Sequence, residues 1–310
     1  MKPKRIKVAA VQATPALFDI AKTTDIIISW IEKAAKEKCE LILFPESFIP
    51  CYPRGLNFDA VVGRRTEKSR ETWLHYWENS FEEGSIHHKK ISETIKKANV
   101  FVALGVTERD NIGGSLYCTL LYFNNEGGLA GKHRKIKPTG LERYIWGESD
   151  GSGLVSFDGR LGKIGGLICW ENYMPLARMA MYEKGVEIYL APTADARPSW
   201  QATMQHIALE GRCFVMACNQ FVRKSDYPGQ YLDDVKNEPD IICPGGTVII
   251  SPLGETLAGP LWNEEGMLIA EIDFSLLAKA KLDFDVTGHY SRKDIFKFSV
   301  INQPGLLKIG

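Results

Sequence analysis

Short apolar runs alternate along the chain with longer stretches in which apolar residues recur every three or four positions. Residues 6–12 read as a buried strand, rich in Val, Ile and Ala. A helix capped by Thr23 or Thr24 follows to Lys38, with Ile27, Trp30, Ile31, Ala34 and Ala35 on one face. Residues 41–44 form a second short strand, stopped by Pro45-Glu46. Strand, helix, strand in that order argues for an α/β sheet. Residues 47–65 read as loop, residues 69–80 and 88–99 as helices, and residues 100–108 and 116–124 as strands joined by an Asn-Ile-Gly-Gly turn. A basic run, residues 131–137, follows another short strand, and residues 138–153 are irregular.

The second half repeats the rhythm. Residues 154–158 and 163–169 pair as a hairpin across Asp158-Gly159. A helix over 175–184, ended by Gly185, precedes a strand at 187–191, a helix at 199–211 and a strand at 214–219. The polar stretch 223–244 reads as a surface excursion. Strands at 247–250 and 267–273 and a helix at 274–282 complete the pattern, and the tail from Asp283 has no evident partner within the chain. There is no internal repeat and no linker, so residues 1–310 are expected to form one domain.

Composition narrows the function classes. The 38 basic and 38 acidic residues cancel, which gives no electrostatic case for nucleic acid or an anionic membrane. No run of eighteen apolar residues and no leader-like start is present, so the expectation is a cytoplasmic protein. Seven cysteines with no CxxC pair argue against a disulfide framework, a zinc ribbon or a thiol redox protein. The six histidines show no metal-binding spacing, and no metal or organic cofactor is expected. His87-His88 reads as a solvated helix start.

Within this frame one stretch has the form of a nucleophile site. In residues 165–175 two glycines and an apolar run end abruptly at Cys169, and polar, helix-starting residues follow. The turn is expected to leave Cys169 near a helix N-terminus, where unpaired N–H groups favour a thiolate. Three more charged residues end apolar runs. Glu46, next to Phe44 and Pro45, is either an ordinary surface glutamate closing its strand or a group that loses hydration, with its pKa rising toward the range of a general base. Lys135, among five cations in 132–137, belongs to a solvated face, a phosphate site or a buried group that stabilises developing negative charge. Glu142 either holds Lys135, positions a water, or pairs with Arg143 or Arg134 on the surface.

Glu, Lys and Cys in that order resemble the nitrilase superfamily of carbon–nitrogen hydrolases, and the resemblance covers nearly the whole chain. Residues 44–50 are similar to its glutamate motif. Residues 133–139 with Glu142-Arg143 and Trp146-Gly147 are similar to its lysine motif. Cys169-Trp170-Glu171-Asn172 is similar to the cysteine motif of its nitrile-hydrolysing branch, and amidase branches usually lack it. Ala191-Pro192-Thr193, residues 204–212 and residues 288–292 are further matches. One departure is Cys51, where the family commonly has Gly; it is expected to reshape the pocket or to add an oxidisable thiol beside it.

The resemblance implies a four-layer α-β-β-α sandwich. It implies dimers that build larger, sometimes spiral, homo-oligomers, with the tail 283–310 at a subunit interface. It also implies that water and a small organic nitrile are the reactants. Cys169 would be the nucleophile, Glu46 the base, Lys135 the stabiliser of charge on nitrogen, and Glu142 a positioning group. Tyr52, Thr139, Trp146, Trp170 and Pro192 would line the pocket. The alternatives it leaves are a cyanide-hydrolysing relative and an aliphatic amidase with the same triad, and, outside catalysis, a silent assembly protein that keeps the fold.

Overall fold

The computed structural model describes residues 4–301 and the backbone of residues 307–308. β1 (Arg5–Gln12), α1 (Ile20–Lys36), β2 (Leu41–Leu43), α2 (Glu67–Glu78), α3 (Ile86–Ala98), β3 (Phe101–Arg109), β4 (Leu116–Phe123), β5 (Leu129–Arg134) and the short α4 (Glu142–Ile145) make up the first half. β6 (Ser156–Gly159), β7 (Gly162–Gly166), α5 (Pro175–Glu183), β8 (Ile188–Pro192), α6 (Ser199–Gly211), β9 (Phe214–Cys218), β10 (Phe221–Arg223), β11 (Ile241–Ile250), β12 (Thr256–Trp262), β13 (Gly266–Asp273), α7 (Ser275–Asp283) and β14 (Leu307–Lys308) follow.

The strands form two sheets. One has the order β13-β1-β2-β3-β4-β5; the other has the order β10-β11-β9-β8-β7-β6-β14, with β12 paired to β11. Each has a parallel trio at its centre, β1-β2-β3 and β7-β8-β9. Both faces of these central strands are buried, so alternate residues enter different cores. Val8, Ala10, Leu41 and Leu43 meet Ile188, Leu190, Phe214 and Met216 between the sheets. Ala9, Val11 and Ile42 face the other way, onto Ile27 and Ile31 of α1 and Ile91 and Ile95 of α3. Tyr189, Ala191, Val215 and Ala217 face Met181 of α5 and Met204 and Ile207 of α6. The layer order is therefore α-β-β-α, as expected.

The differences from the expected elements have physical causes. α1 begins at Ile20 because Asp19 caps it, its Oδ1 accepting from Lys22 N at 2.9 Å. Thr23 and Thr24 lie inside the first turn and donate back to the carbonyls of Ala16 and Ile20. The β6–β7 hairpin turns at Arg160-Leu161, two residues later than expected, because Gly162 takes the left-handed conformation (φ +86°) that closes it. β12 is not among the expected strands; its Gly259-Pro260 is tolerated because, among the described residues, β12 pairs with β11 alone. Residues 223–244 are not a plain surface excursion. Tyr227, Tyr231 and Val235 are buried in the inter-sheet core, and Tyr227 Oη donates to the Arg54 carbonyl at 2.7 Å. The tail also has partners within the chain, since Val286, Phe298 and Val300 pack against the core under α5 and α6. The expected interface role of 283–310 falls partly on residues 302–306 and 309–310, outside the described residues.

The glycines before Cys169 have a specific use. A Cβ on Gly166 would lie 1.9 Å from the Leu190 carbonyl oxygen, so only glycine permits the close β7–β8 approach. Gly166→Ala is expected to lower unfolding free energy by about 1–3 kcal/mol, the usual cost of overpacking. Denaturant unfolding checks this; an unchanged midpoint would contradict the packing argument.

Among the described residues no helix is long and apolar enough to cross a membrane. No group of three or more His, Cys, Asp or Glu among them is placed to hold a metal ion.

Candidate active site

The site lies past the ends of β2, β5 and β7, where crevices form in α/β sheets. Beyond β2 the chain keeps running beside β3, with Phe44 N donating to Ala103 O at 2.9 Å and Phe48 N to Gly105 O at 2.8 Å, and Ile49 bridging Val106 in parallel. Gly105 permits this close approach, because a Cβ there would sit 2.0 Å from the Pro45 carbonyl oxygen. Gln220 Nε2 holds the Glu46 carbonyl at 2.8 Å from the opposite sheet. The Glu46 side chain is thereby carried inward and is fully buried.

β5 ends at Arg134, and Lys135 follows with its side chain fully buried. Its Nζ donates to Glu46 Oε1 at 2.7 Å and to Glu142 Oε2 at 2.8 Å. Glu142 on α4 also accepts from Tyr52 Oη at 2.7 Å and from Thr139 N at 2.7 Å. Of the readings left open for Glu142, the structure takes the one in which it holds Lys135. The basic run is neither a solvated face nor a phosphate site, because each of its cations meets a carboxylate. Lys132 and Arg134 bind Glu108, His133 meets Glu171, Lys135 meets Glu46 and Glu142, and Lys137 meets Glu148.

Cys169 opens a short 3-10 turn, Cys169–Tyr173, with φ of +50°, a left-handed conformation uncommon for a side chain-bearing residue. Asn172 secures this turn. Its Nδ2 donates to the carbonyls of Leu167 and Cys169, and its Oδ1 accepts from Tyr189 Oη at 2.8 Å. The Cys169 thiol accepts a hydrogen bond from Thr193 Oγ1 at 3.2 Å.

The expected resting thiolate is not favoured. The turn is too short for a helix dipole, and burial pushes the Cys169 thiol up to about 12, with Glu46 adding to the rise. Lys135 and Thr193 pull the other way without reversing it. Burial likewise raises Glu46 above the ordinary carboxylate range, against the pull of Lys135 and with a further push from Glu142. Burial opposes the Lys135 ammonium, but Glu46 and then Cys169 outweigh it and hold the lysine charged. The site thus sets a charged lysine and a carboxyl of raised pKa around a thiol that burial keeps protonated. Among the described residues none donates a hydrogen bond to the buried Glu46 Oε2.

A cleft of about 400 Å³ opens onto the thiol, lined by Tyr52, Arg54, Thr139, Glu142, Cys169, Trp170, Ala194, Asp195, Ala196 and Arg197. Tyr52, Thr139 and Trp170 are thus at the cleft as expected. Trp146 is not; it is buried behind Lys135, its ring centroid 5.8 Å from Nζ and 5.8 Å from the Tyr52 ring. Pro192 is not there either; it lies in β8, paired in register with Cys218. Cys51 is buried in the inter-sheet core beside Tyr52, so it is not among the residues lining the cleft and its thiol is not exposed. His87 and His88 are not simply solvated: Thr24 and the Gly84 N–H engage their Nδ1 atoms.

Four groups at the site had no sequence signal of their own: Thr193 on the thiol, Cys118 with its Sγ 3.4 Å from Glu46 Oε1, Arg54, and the Asp195–Arg197 pair that receives the Trp170 indole N–H at 2.9 Å. Only Thr193 stood within a quoted motif, and nothing there marked it as a thiol partner.

Glu142 also gives a test of the electrostatics. A base at Glu46 would act only when ionised, so activity is expected to fall as pH drops through its raised pKa. Glu142→Gln removes a like charge, lowers that pKa and moves the acid limb of the rate profile to lower pH. Its kcat is expected to fall by roughly 10- to 100-fold as Lys135 loses an anchor. A limb that stays in place or moves up in pH would contradict the coupling.

Known proteins share this arrangement of chain. The carbon–nitrogen hydrolase family model matches residues 7–282. A bifunctional nitrilase/nitrile hydratase of Lupinus angustifolius is 46% identical over 305 residues, covering 96% of this chain and 87% of that protein. An aliphatic nitrilase of Sinorhizobium fredii (strain HH103) is 44% identical over 301 residues, covering 97% of each. Among solved structures, a carbon-nitrogen hydrolase from Helicobacter pylori G27 superposes with a TM-score of 0.72 at 21% identity, over 94% of this chain and 97% of that one. With a family model spanning most of its length and relatives this similar, the chain belongs to the carbon–nitrogen hydrolase family.

Proposed function

We propose that the protein is a nitrilase, converting an organic nitrile and two waters into a carboxylic acid and ammonia. The observation that carries this reading is the buried Lys135 ammonium. Two of its three N–H donors are spent on Glu46 and Glu142, and the third is left for a nitrogen atom gaining charge. The Lupinus and Sinorhizobium relatives, both named for action on nitriles, support it.

In the first step Glu46 takes the Cys169 proton while sulfur bonds to the nitrile carbon and one carbon–nitrogen π bond breaks. Lys135 stabilises the negative charge on nitrogen, which collects the proton and gives a thioimidate. Glu46 then activates a water that adds to the same carbon. Loss of ammonia leaves a thioester, and a second water releases the acid and restores the thiol. Expulsion of the thiol from the tetrahedral intermediate would give an amide instead, the outcome that the words nitrile hydratase in the Lupinus relative's name describe.

The size of the cleft supports an organic nitrile over cyanide. Besides its 400 Å³, an adjoining pocket of about 250 Å³ carries Leu56, Phe58, Leu141 and Ile145, an apolar wall with no use for a two-atom substrate.

The test is incubation with aromatic, arylaliphatic and aliphatic nitriles, cyanide and the matching amides, with ammonia and acid assayed. Turnover of at least one nitrile in preference to its amide is expected. Turnover of amides alone would replace this reading with an amidase, and no turnover of any compound would leave a silent member of the family.

A further inference from the structure

Two buried motif residues have no part in the chemistry above, yet they touch. His133 Nε2 lies 2.9 Å from Glu171 Oε2. His133 Nδ1 lies 3.0 Å from the Gly153 carbonyl, which can only accept, so Nδ1 carries a proton. The Glu171 carboxylate also accepts from Ile136 N at 2.6 Å on Oε1 and from Ile168 N at 2.7 Å on Oε2. Two backbone donors on one buried carboxylate favour its ionised form, which can only accept, so Nε2 carries a proton as well and the contact is an imidazolium–carboxylate pair. The directions agree. Burial raises Glu171, but His133 and the two backbone N–H groups outweigh it; burial lowers His133, but Glu171 outweighs it.

The two backbone donors are the chain neighbours of the reacting residues. Ile136 follows Lys135 and Ile168 precedes Cys169. One carboxylate therefore joins the end of β5, in one sheet, to the nucleophile turn after β7, in the other. We infer that Glu171, oriented by His133, is a positioning residue that sets the separation between the Lys135 ammonium and the Cys169 thiol. The substrate in its assay rests on the nitrilase reading; the geometry does not.

Glu171→Gln tests this. An amide has one oxygen where the carboxylate has two, so either Ile136 N or Ile168 N would face an NH2 group, and the two segments would shift apart. Lys135 lowers the pKa of both the Cys169 thiol and Glu46. The other groups acting on these two, Glu142, Cys118, Thr193, the Ala194 N–H, Tyr52, Arg54 and Arg197, are left unaltered. Withdrawal of Lys135 moves the pH limb for iodoacetamide alkylation of Cys169 to higher pH. The kcat for a nitrile is expected to fall roughly 30- to 100-fold with KM within about 3-fold, the scale of a 1 Å misplacement. His133→Gln keeps a donor toward Glu171 without the charge and shifts both readouts in the same direction by less, so it decides the matter if Glu171→Gln does not fold. A folded variant with the wild-type alkylation limb would overturn the inference, even if kcat fell. Alkylation needs no nitrile, so failure of the wild type to turn over any nitrile would strike the nitrilase reading and leave this result standing.

Discussion

Cys169→Ala is expected to abolish ammonia release from every nitrile while the protein stays folded. The size of the loss follows from covalent catalysis: without sulfur there is no thioimidate and no thioester, and hydrolases that lose their nucleophile fall by on the order of 10⁶-fold. Folding is spared because the turn is held by others. Asn172 fastens the carbonyls of Leu167 and Cys169, and Thr193, deprived of the sulfur, still accepts from Asp195 N at 2.9 Å. Loss of one buried sulfur atom is expected to cost about 1 kcal/mol. Ammonia assays beside a thermal melt check both halves. Residual activity within tenfold of wild type would remove Cys169 from the mechanism, and loss of the melt would remove the inference from this variant.

Glu46→Gln gives the second largest effect. The amide oxygen still accepts from Lys135, and the shape of the site is kept, but the group can no longer take the Cys169 proton. With the thiol at about 12, almost none is ionised near neutrality, so attack depends on that transfer. A general base contributes roughly 10²- to 10⁴-fold, and here it serves both thiol attack and water activation. Raising the pH should recover part of the rate in this variant, because solvent hydroxide can then supply the thiolate. A kcat within a few fold of wild type would show that the proton leaves by another route.

Two of the three candidate residues were legible because each ends an apolar run, Glu46 after residues 41–44 and Cys169 after β7. Lys135 follows three basic residues, so its place was legible only because the three stretches match three motifs in order. The alternation that sends Val8 and Ala10 one way and Ala9 and Val11 the other was harder to read, since a strand buried on both faces is apolar throughout. What surrounds the triad was hidden for a different reason. His133 and Glu171 lie 38 positions apart, and neither shows its partner until β5 and β7 are brought together. Arg54 reaches the cleft from a loop that Tyr227, 173 positions later, holds by its carbonyl. Val235 was read as part of a solvated stretch because its neighbours are polar, although it is fully buried. The thiolate expectation failed on burial: a turn leading to Pro175 looked like a helix start, and desolvation of the thiol outweighs what so short a turn can supply.

The most direct measurement is peptide mapping of the wild-type protein quenched in acid during turnover of a nitrile. The account predicts a nitrile-derived mass on the peptide that carries Cys169, absent in Cys169→Ala. The same mass on the Cys118 peptide, or ammonia released at full rate by protein whose Cys169 is alkylated, would contradict it.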